Sequence, residues 1–403
     1  MSLHSFFLVI GLIILIGFMG RLVRRRTLIP ESLFLILFGL LLGPVLGLVP
    51  GEEFLEYLPI VSVAAMVAIL VESGIEFDIS KLKGALKKAT LFTFMVAILT
   101  TLAVAGFLHF LFGWDLGHAA LLGLISSGTT TITAMTLLRS IDIKDEIRKL
   151  ILLETIINDF TLIIGTFLIV EIIKVSEFSV EQGLRLIMSE FSVAIFLGVI
   201  ATVVWRFILV ELNQKEELSY ISTLGICFVL YFLADYLGGN PIISIFTFGL
   251  LFGNYRRVFK FISKPSREDR AALDSIIESI KSVQTDMTFF LAASFFVLLG
   301  VTFDISLLQE IAPAVLAGIV VIILAVRYLS SAIISLMDRT FAEYRTIIAI
   351  MIPRGYVAAV LAFVPAQEGI EIPLITNIIV ILIIVTTLIA IIGTGLYAFL
   401  RKR

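Results

Sequence analysis

The chain has 403 residues, 59% of them hydrophobic and 15% charged, with a formal net charge of −2 and a mean hydropathy of +1.10. Soluble domains carry about 25% charged residues, so this composition excludes an ordinary water-soluble fold and points to a bilayer. The net charge says little about partners, and no nucleic acid is expected. One cysteine, Cys227, excludes a disulfide framework and a cysteine metal site, and the three histidines at positions 4, 109 and 118 have no ligand spacing. No cofactor is expected.

A membrane-spanning helix needs about 20 apolar residues. Apolar runs of that order fall at 4–20, 28–49, 54–73, 89–112, 117–138, 149–171, 187–210, 218–237, 240–253, 285–301, 309–336, 345–365 and 372–398. The expected fold is therefore an all-α polytopic membrane protein with 13 transmembrane helices. The first run leads straight into Arg21, Arg24, Arg25 and Arg26, which reads as a retained span rather than a cleaved signal. Between runs, Asp235 and Gly238-Gly239-Asn240-Pro241 read as a turn. The polar stretch 255–284 reads as a cytoplasmic amphipathic segment, with Leu273, Ile276, Ile277 and Ile280 at helical spacing.

Basic residues alternate between the loops. All 30 lysines and arginines except Lys174, Arg185 and Arg354 fall in one set of loops, which includes a run from Arg327 to Arg345. Basic loops stay on the cytoplasmic side. The expected placement is a multi-pass protein of the cytoplasmic membrane, N-terminus outside and C-terminus inside.

Two pairs of segments repeat in order. Phe38-Gly39-Leu40-Leu41-Leu42-Gly43 matches Phe248-Gly249-Leu250-Leu251-Phe252-Gly253, and Gly74-Ile75-Glu76-Phe77-Asp78-Ile79-Ser80 matches Gly300-Val301-Thr302-Phe303-Asp304-Ile305-Ser306. By the loop charges the copies face opposite sides, as in two inverted-topology repeats with interrupted helices crossing at the midplane. The offset that carries Gly74 to Gly300 carries Gly128-Thr129-Thr130-Thr131 to Arg354-Gly355-Tyr356-Val357, and both stretches interrupt apolar runs.

Asp159 lies in LILLETIINDFTLIIGTFLIV, roughly 15 Å deep at 1.5 Å per residue. A carboxylate there costs about 2.5–3.5 kcal/mol on insertion scales, and it can hold either a cation or a proton. Thr155, one turn earlier on the same face, offers a hydroxyl oxygen to a cation or bonds back to its own helix. Asn158 braces an unwound segment, replaces a second carboxylate, or bridges two helices by a hydrogen bond. Glu154 and Arg354 are the expected buried ion pair. Ser126-Ser127-Gly128-Thr129-Thr130-Thr131 is either an unwound, carbonyl-exposing segment or a small-residue packing face. Polar residues clustered at mid-depth fit a carrier better than a channel, which needs a continuous polar path, or a membrane-embedded sensor. An intramembrane enzyme is not expected, because Ser126 and Ser127 have no evident base partner.

On these residues the chain resembles the monovalent cation–proton antiporters, in particular the NhaP-type sodium–proton exchangers. Glu154-Thr155-x-x-Asn158-Asp159, Pro353-Arg354-Gly355 and the early Phe38–Pro44 segment carry the resemblance. It implies Asp159 as the shared cation and proton site, Thr155 as hydroxyl ligand and Thr129 as backbone ligand for Na⁺, with Glu154 and Arg354 as a structural pair. It also implies a homodimer, with a mobile core moving elevator-fashion against a dimerisation domain. The division is then 1–84 as interface helices, 85–175 as core, 176–215 as linker, 216–304 as interface and 305–403 as core. One departure stands out: Thr129-Thr130-Thr131 replaces the family's Thr-Asp-Pro. Ser126-Ser127-Gly128-Thr129 is closer to the Kef-type potassium–proton branch. Electroneutral Na⁺ (or Li⁺)/H⁺ exchange is the expected function, tied to pH homeostasis, and K⁺/H⁺ exchange is the alternative.

Overall fold

The computed structural model describes residues 3–27, 29–55, 57–76, 86–175, 180–211, 216–255, 267–306 and 313–401, and every regular element among them is helical. In chain order these are α1 (Leu3–Arg26), α2 (Glu31–Leu40) continued by a π turn (Leu41–Val45), α3 (Glu52–Leu55), α4 (Leu58–Glu76), α5 (Leu86–Phe112), α6 (Leu116–Ser126), α7 (Thr131–Arg139) and α8 (Asp145–Val175). There follow α9 (Val180–Glu211), α10 (Glu216–Tyr236), α11 (Pro241–Gly253), α12 (Arg267–Val301), α13 (Pro313–Met337), a 3₁₀ turn (Arg339–Tyr344), α14 (Arg345–Ile350), α15 (Tyr356–Leu361), α16 (Val364–Gln367) and α17 (Ile375–Arg401).

Eight helical stretches among the described residues are long and apolar enough to cross a bilayer: Glu53–Ile75, Lys87–Phe112, Leu116–Arg139, Asp145–Val175, Met188–Leu209, Val283–Val301, Pro313–Met337 and Ile375–Arg401. Five shorter apolar helices, Gly11–Val23, Glu31–Val45, Ile221–Tyr236, Pro241–Gly253 and Tyr356–Gln367, fall on the other expected runs. Two have local reasons for being short. Pro44 lies inside the π turn that ends the α2 stretch, where it cannot donate to the helical ladder. The stretch before α15 is non-helical over Met351–Gly355.

Caps set several boundaries. Asp115 accepts from the His118 N–H at the start of α6, and that bond, the first of its causes, lowers its pKa. Asn240 accepts from Ile242 and Ile243 at the start of α11, with Pro241 in the first turn and Gly238 at a positive φ of 69° just before. The turn expected there is present. The amphipathic segment differs from expectation. Its described part is not a separate surface helix but the first half of α12. The sequence from Arg267 to Leu299 contains no proline or glycine to end a helix. Residues 256–266 lie outside the described set.

The chain divides into two compact units. The first comprises 1–62, 83–174 and 293–403, and the second 63–82 and 175–292. Residues 1–62 thus group with the expected core segments. In the first unit α5 packs along α6 and α13, and α14 lies against α13 and α17. Its inner apolar cluster joins Phe92, Val96, Leu137, Ile147, Ile151, Ile334 and Ile348, all buried. In the second unit α11 packs against α9 and α10, and Gln284 and Thr288 of α12 donate to the Ala68 carbonyl of α4.

Glycine-lined backbone contacts in the two units match one another. In the first, Gly39 and Gly43 sit on Val297, Gly300 and Val301, so that a Cβ on either would meet backbone atoms. In the second, Gly249 and Gly253 sit on Val71, Gly74 and Ile75 in the same way. The paired segments are those the sequence repeats, up to the Phe77–Ser80 stretch, which lies outside the described residues.

Candidate functional site

The site is built where two broken helices meet α8, all within the first unit. The first break separates α6 from α7. Ser127 and Gly128 donate their N–H groups to Leu124 and Ile125, and the Ser127 hydroxyl bonds back to Leu124, which closes α6. Thr130 is extended (φ −110°, ψ 129°) and starts α7. The second break runs from Met351 to Gly355, between α14 and α15. The two touch directly. The Thr130 N–H donates to the Pro353 carbonyl at 3.0 Å, and Gly355 leaves no room for a Cβ beside the Thr130 side chain.

Both α6 and α14 end in this buried region, and helix C-termini carry unpaired carbonyls and partial negative charge. Each is met by an arginine. Arg354, 1% exposed, donates through Nε (2.9 Å) and Nη2 to the Ser126 carbonyl, the last of α6, and through Nη1 to Ile352. Its own N–H donates to Thr386 of α17. Arg327 of α13 donates through Nε and Nη2 to Ile348 of α14.

Arg327 also provides the ion pair. Its Nη1 lies 2.9 Å from Glu154 Oε1 and its Nη2 3.4 Å from Oε2, with both side chains essentially fully buried. The guanidinium stacks over Phe92 at 5.4 Å. This corrects the expected Glu154–Arg354 pair. The geometric reason is that Arg354 is taken by carbonyls of the breaks, whereas α13 presents a planar fork to the carboxylate. Arg327 was read as part of a basic loop because Arg339 and Arg345 follow it. Its real signal was an isolated charge in the apolar helix PAVLAGIVVIILAVRYLSSAIISLM.

Thr129 joins the first break to α8. Its hydroxyl donates to Glu154 Oε1 at 3.0 Å and its N–H to Asn158 Oδ1 at 3.1 Å. Its carbonyl accepts no hydrogen bond among the described residues. Asn158 thus braces the unwound segment, one of the uses expected of it, and its Nδ2 has no partner among the described residues. Thr155 follows the back-bonding alternative, donating to Leu152 at 2.9 Å, and it also meets the Thr131 hydroxyl at 2.9 Å. Thr130 points no carboxylate into the site, and it packs instead on Gly355.

Asp159 differs from all of these. It is only partly buried, and its carboxylate makes no hydrogen bond or ion pair among the described residues. The nearby charge of Glu154 is already matched by Arg327. The arrangement can therefore offer a cation one uncommitted carboxylate, with the Thr155 hydroxyl one turn away and the Thr129 carbonyl in the facing break. These are oxygen donors suited to hard alkali cations.

Comparison with known proteins gives four findings. The family model described as "Sodium/hydrogen exchanger, transmembrane" matches residues 8–402. A protein named K(+)/H(+) antiporter NhaP2 from Shewanella sp. (strain ANA-3) is 28% identical over 376 residues, covering 91% of this chain and 62% of its own length. One named Na(+)/H(+) antiporter 1 from Methanocaldococcus jannaschii is 24% identical over 90% of this chain and 83% of its own. The solved structure of the sodium proton antiporter MjNhaP1 from that archaeon, at pH 8, aligns with a TM-score of 0.75, 21% identity and coverage of 98% and 97%, which is a likeness of fold. The chain spans less than two thirds of the length of the Shewanella protein.

Proposed function

The chain belongs to the transmembrane sodium/hydrogen exchanger family, and from that premise we propose that it exchanges Na⁺ for H⁺ across a cytoplasmic membrane. Asp159 binds the cation and the proton in turn. The observation that carries the proposal is the contrast on α8: Glu154 is saturated by Arg327 and Thr129, while Asp159 is left unpaired among the described residues. A carboxylate committed to an arginine and a hydroxyl has no oxygen left for a passing cation. An unpaired one can be claimed by either ion. Thr155 and the Thr129 carbonyl complete the cation's oxygen shell, and the two arginines offset the half-helix ends.

Competition at one carboxylate gives one proton for one monovalent cation, an electroneutral cycle. The two glycine contacts, each joining the first repeated segment of one half to the second of the other, support inverted repeats. In the elevator reading, core segments 85–175 and 305–403 carry Asp159 across, and the remaining helices pair two copies in the bilayer. A second reading, K⁺/H⁺ exchange, is favoured by Thr130 in place of a second acid. The test is flux in proteoliposomes under Na⁺, K⁺ and Li⁺ gradients. Asp159→Asn should fold and lose exchange with every ion, and near-normal exchange by this variant would remove Asp159 from the mechanism. Cysteine labelling in a Cys227→Ser background should reach position 78 from the inside and position 304 from the outside. Labelling of both from one side would end the inverted reading.

A further inference from the structure

The hydroxyl of Thr131 has no part in the cycle described so far, and its placement gives it one. Thr131 opens α7, at the position where the family resemblance expects a proline without a hydroxyl. Its Oγ1 lies 2.9 Å from Thr155 Oγ1, which in turn lies 2.9 Å from the Leu152 carbonyl. A threonine hydroxyl has one proton and two lone pairs. The Leu152 carbonyl can only accept, so the Thr155 proton goes there. The Thr131 proton must then go to Thr155. This direction fixes both lone pairs of Thr155: one receives Thr131, and the other is left for a ligand on the face shared with Asp159. The Thr131 oxygen itself accepts no hydrogen bond among the described residues.

We propose that Thr131 is a positioning residue that sets cation preference by locking the Thr155 hydroxyl with its remaining lone pair toward the cation site. The inference rests on the reading of Asp159 and Thr155 as the transport site. Without Thr131, Thr155 is free to swing between its back-bond and other acceptors, and its oxygen is no longer held for the ion. A small, strongly hydrated cation depends most on close, fixed oxygens when it sheds water. Na⁺ should therefore lose more than K⁺.

The test is antiport kinetics in proteoliposomes with Na⁺ and with K⁺. Thr131→Val keeps the shape and removes the hydroxyl, and it should raise KM for Na⁺ about fivefold to tenfold, the range expected for loss of one hydrogen bond. Vmax should change little, and the Na⁺ to K⁺ preference should fall. Thr131→Ser should restore the wild-type values. In a Thr155→Val background, Thr131→Val should add nothing, because its effect passes through Thr155. A lower Vmax or lower thermal stability at unchanged KM ratio, or no rescue by serine, would overturn the proposal and leave Thr131 a helix-start residue. Exchange that survives Asp159→Asn would overturn it together with the site reading. Exchange that needs Asp159 but ignores Thr131→Val would overturn this inference alone.

Discussion

The two broken helices solve the same problem with different chemistry. The first break, Ser127–Thr130, contributes no charge and is held by neutral donors: the Thr129 N–H and hydroxyl reach Asn158 and Glu154 on α8. The second, Met351–Gly355, contributes Arg354, which serves the other break by taking the Ser126 carbonyl. The second break's own helix end is served from outside, by Arg327 on Ile348. Each helix end is thus neutralised by an arginine it does not carry. Two guanidinium groups are consumed by helix ends and one carboxylate, and Asp159 is left unmatched among the described residues.

The largest effect should come from separating the two arginines by partner. Removing one member of a buried pair typically costs about 3–5 kcal/mol because the other is stranded. Arg327→Ala and Glu154→Ala should each lower thermal stability by that order, while the double variant recovers a substantial part of the sum. Arg354→Ala combined with Glu154→Ala should show a smaller coupling, since no hydrogen bond joins them and only a longer-range charge interaction remains. Melting temperatures of the three single variants and the two doubles check this. A stronger coupling of Glu154 to Arg354 than to Arg327 would break the comparison.

A smaller effect should come from the crossing point. Gly355→Ala places a Cβ on Thr130 and should destabilise by about 1–3 kcal/mol, as overpacking does, with transport falling in parallel. Thr130→Gly in the same chain should relieve it. The control is Gly395→Ala on α17, where nothing lies within 4 Å of the added carbon and stability should hold. Equal losses at the two glycines, read by thermal shift and flux, would mean that the breaks do not meet closely.

That Asp159 lies within a long, mostly apolar helix was legible in the sequence, because hydropathy marks the run Leu150–Val170 around it. The breaks were legible as well, because Gly128-Thr129-Thr130-Thr131 and Pro353-Arg354-Gly355 each interrupt an apolar run. The apolar helices coincide with the expected runs because hydropathy reports the solvent directly. Partner choice was not legible. Arg354 was found, but a sequence does not say that its nearest acceptors are orphan carbonyls of another helix. Arg327 was hidden by the loop charges that follow it, since the census of basic residues takes no account of where a helix ends. The direction of the Thr131–Thr155–Leu152 chain needed coordinates, because it depends on which oxygens come within 3 Å.

The central claim is that one carboxylate does all the titrating. Glu154 is committed to its ion pair with Arg327, Asn158 cannot titrate, and Thr130 supplies no acid. One proton then trades for one monovalent cation and no net charge moves. The direct measurement is current on a solid-supported membrane carrying active protein when Na⁺ is stepped, with flux followed in parallel across pH. The account predicts flux without sustained current, with a bell-shaped pH response: protons hold Asp159 at low pH, and none is available for the return step at high pH. A sustained current that scales with flux would require a second titrating group and would contradict it.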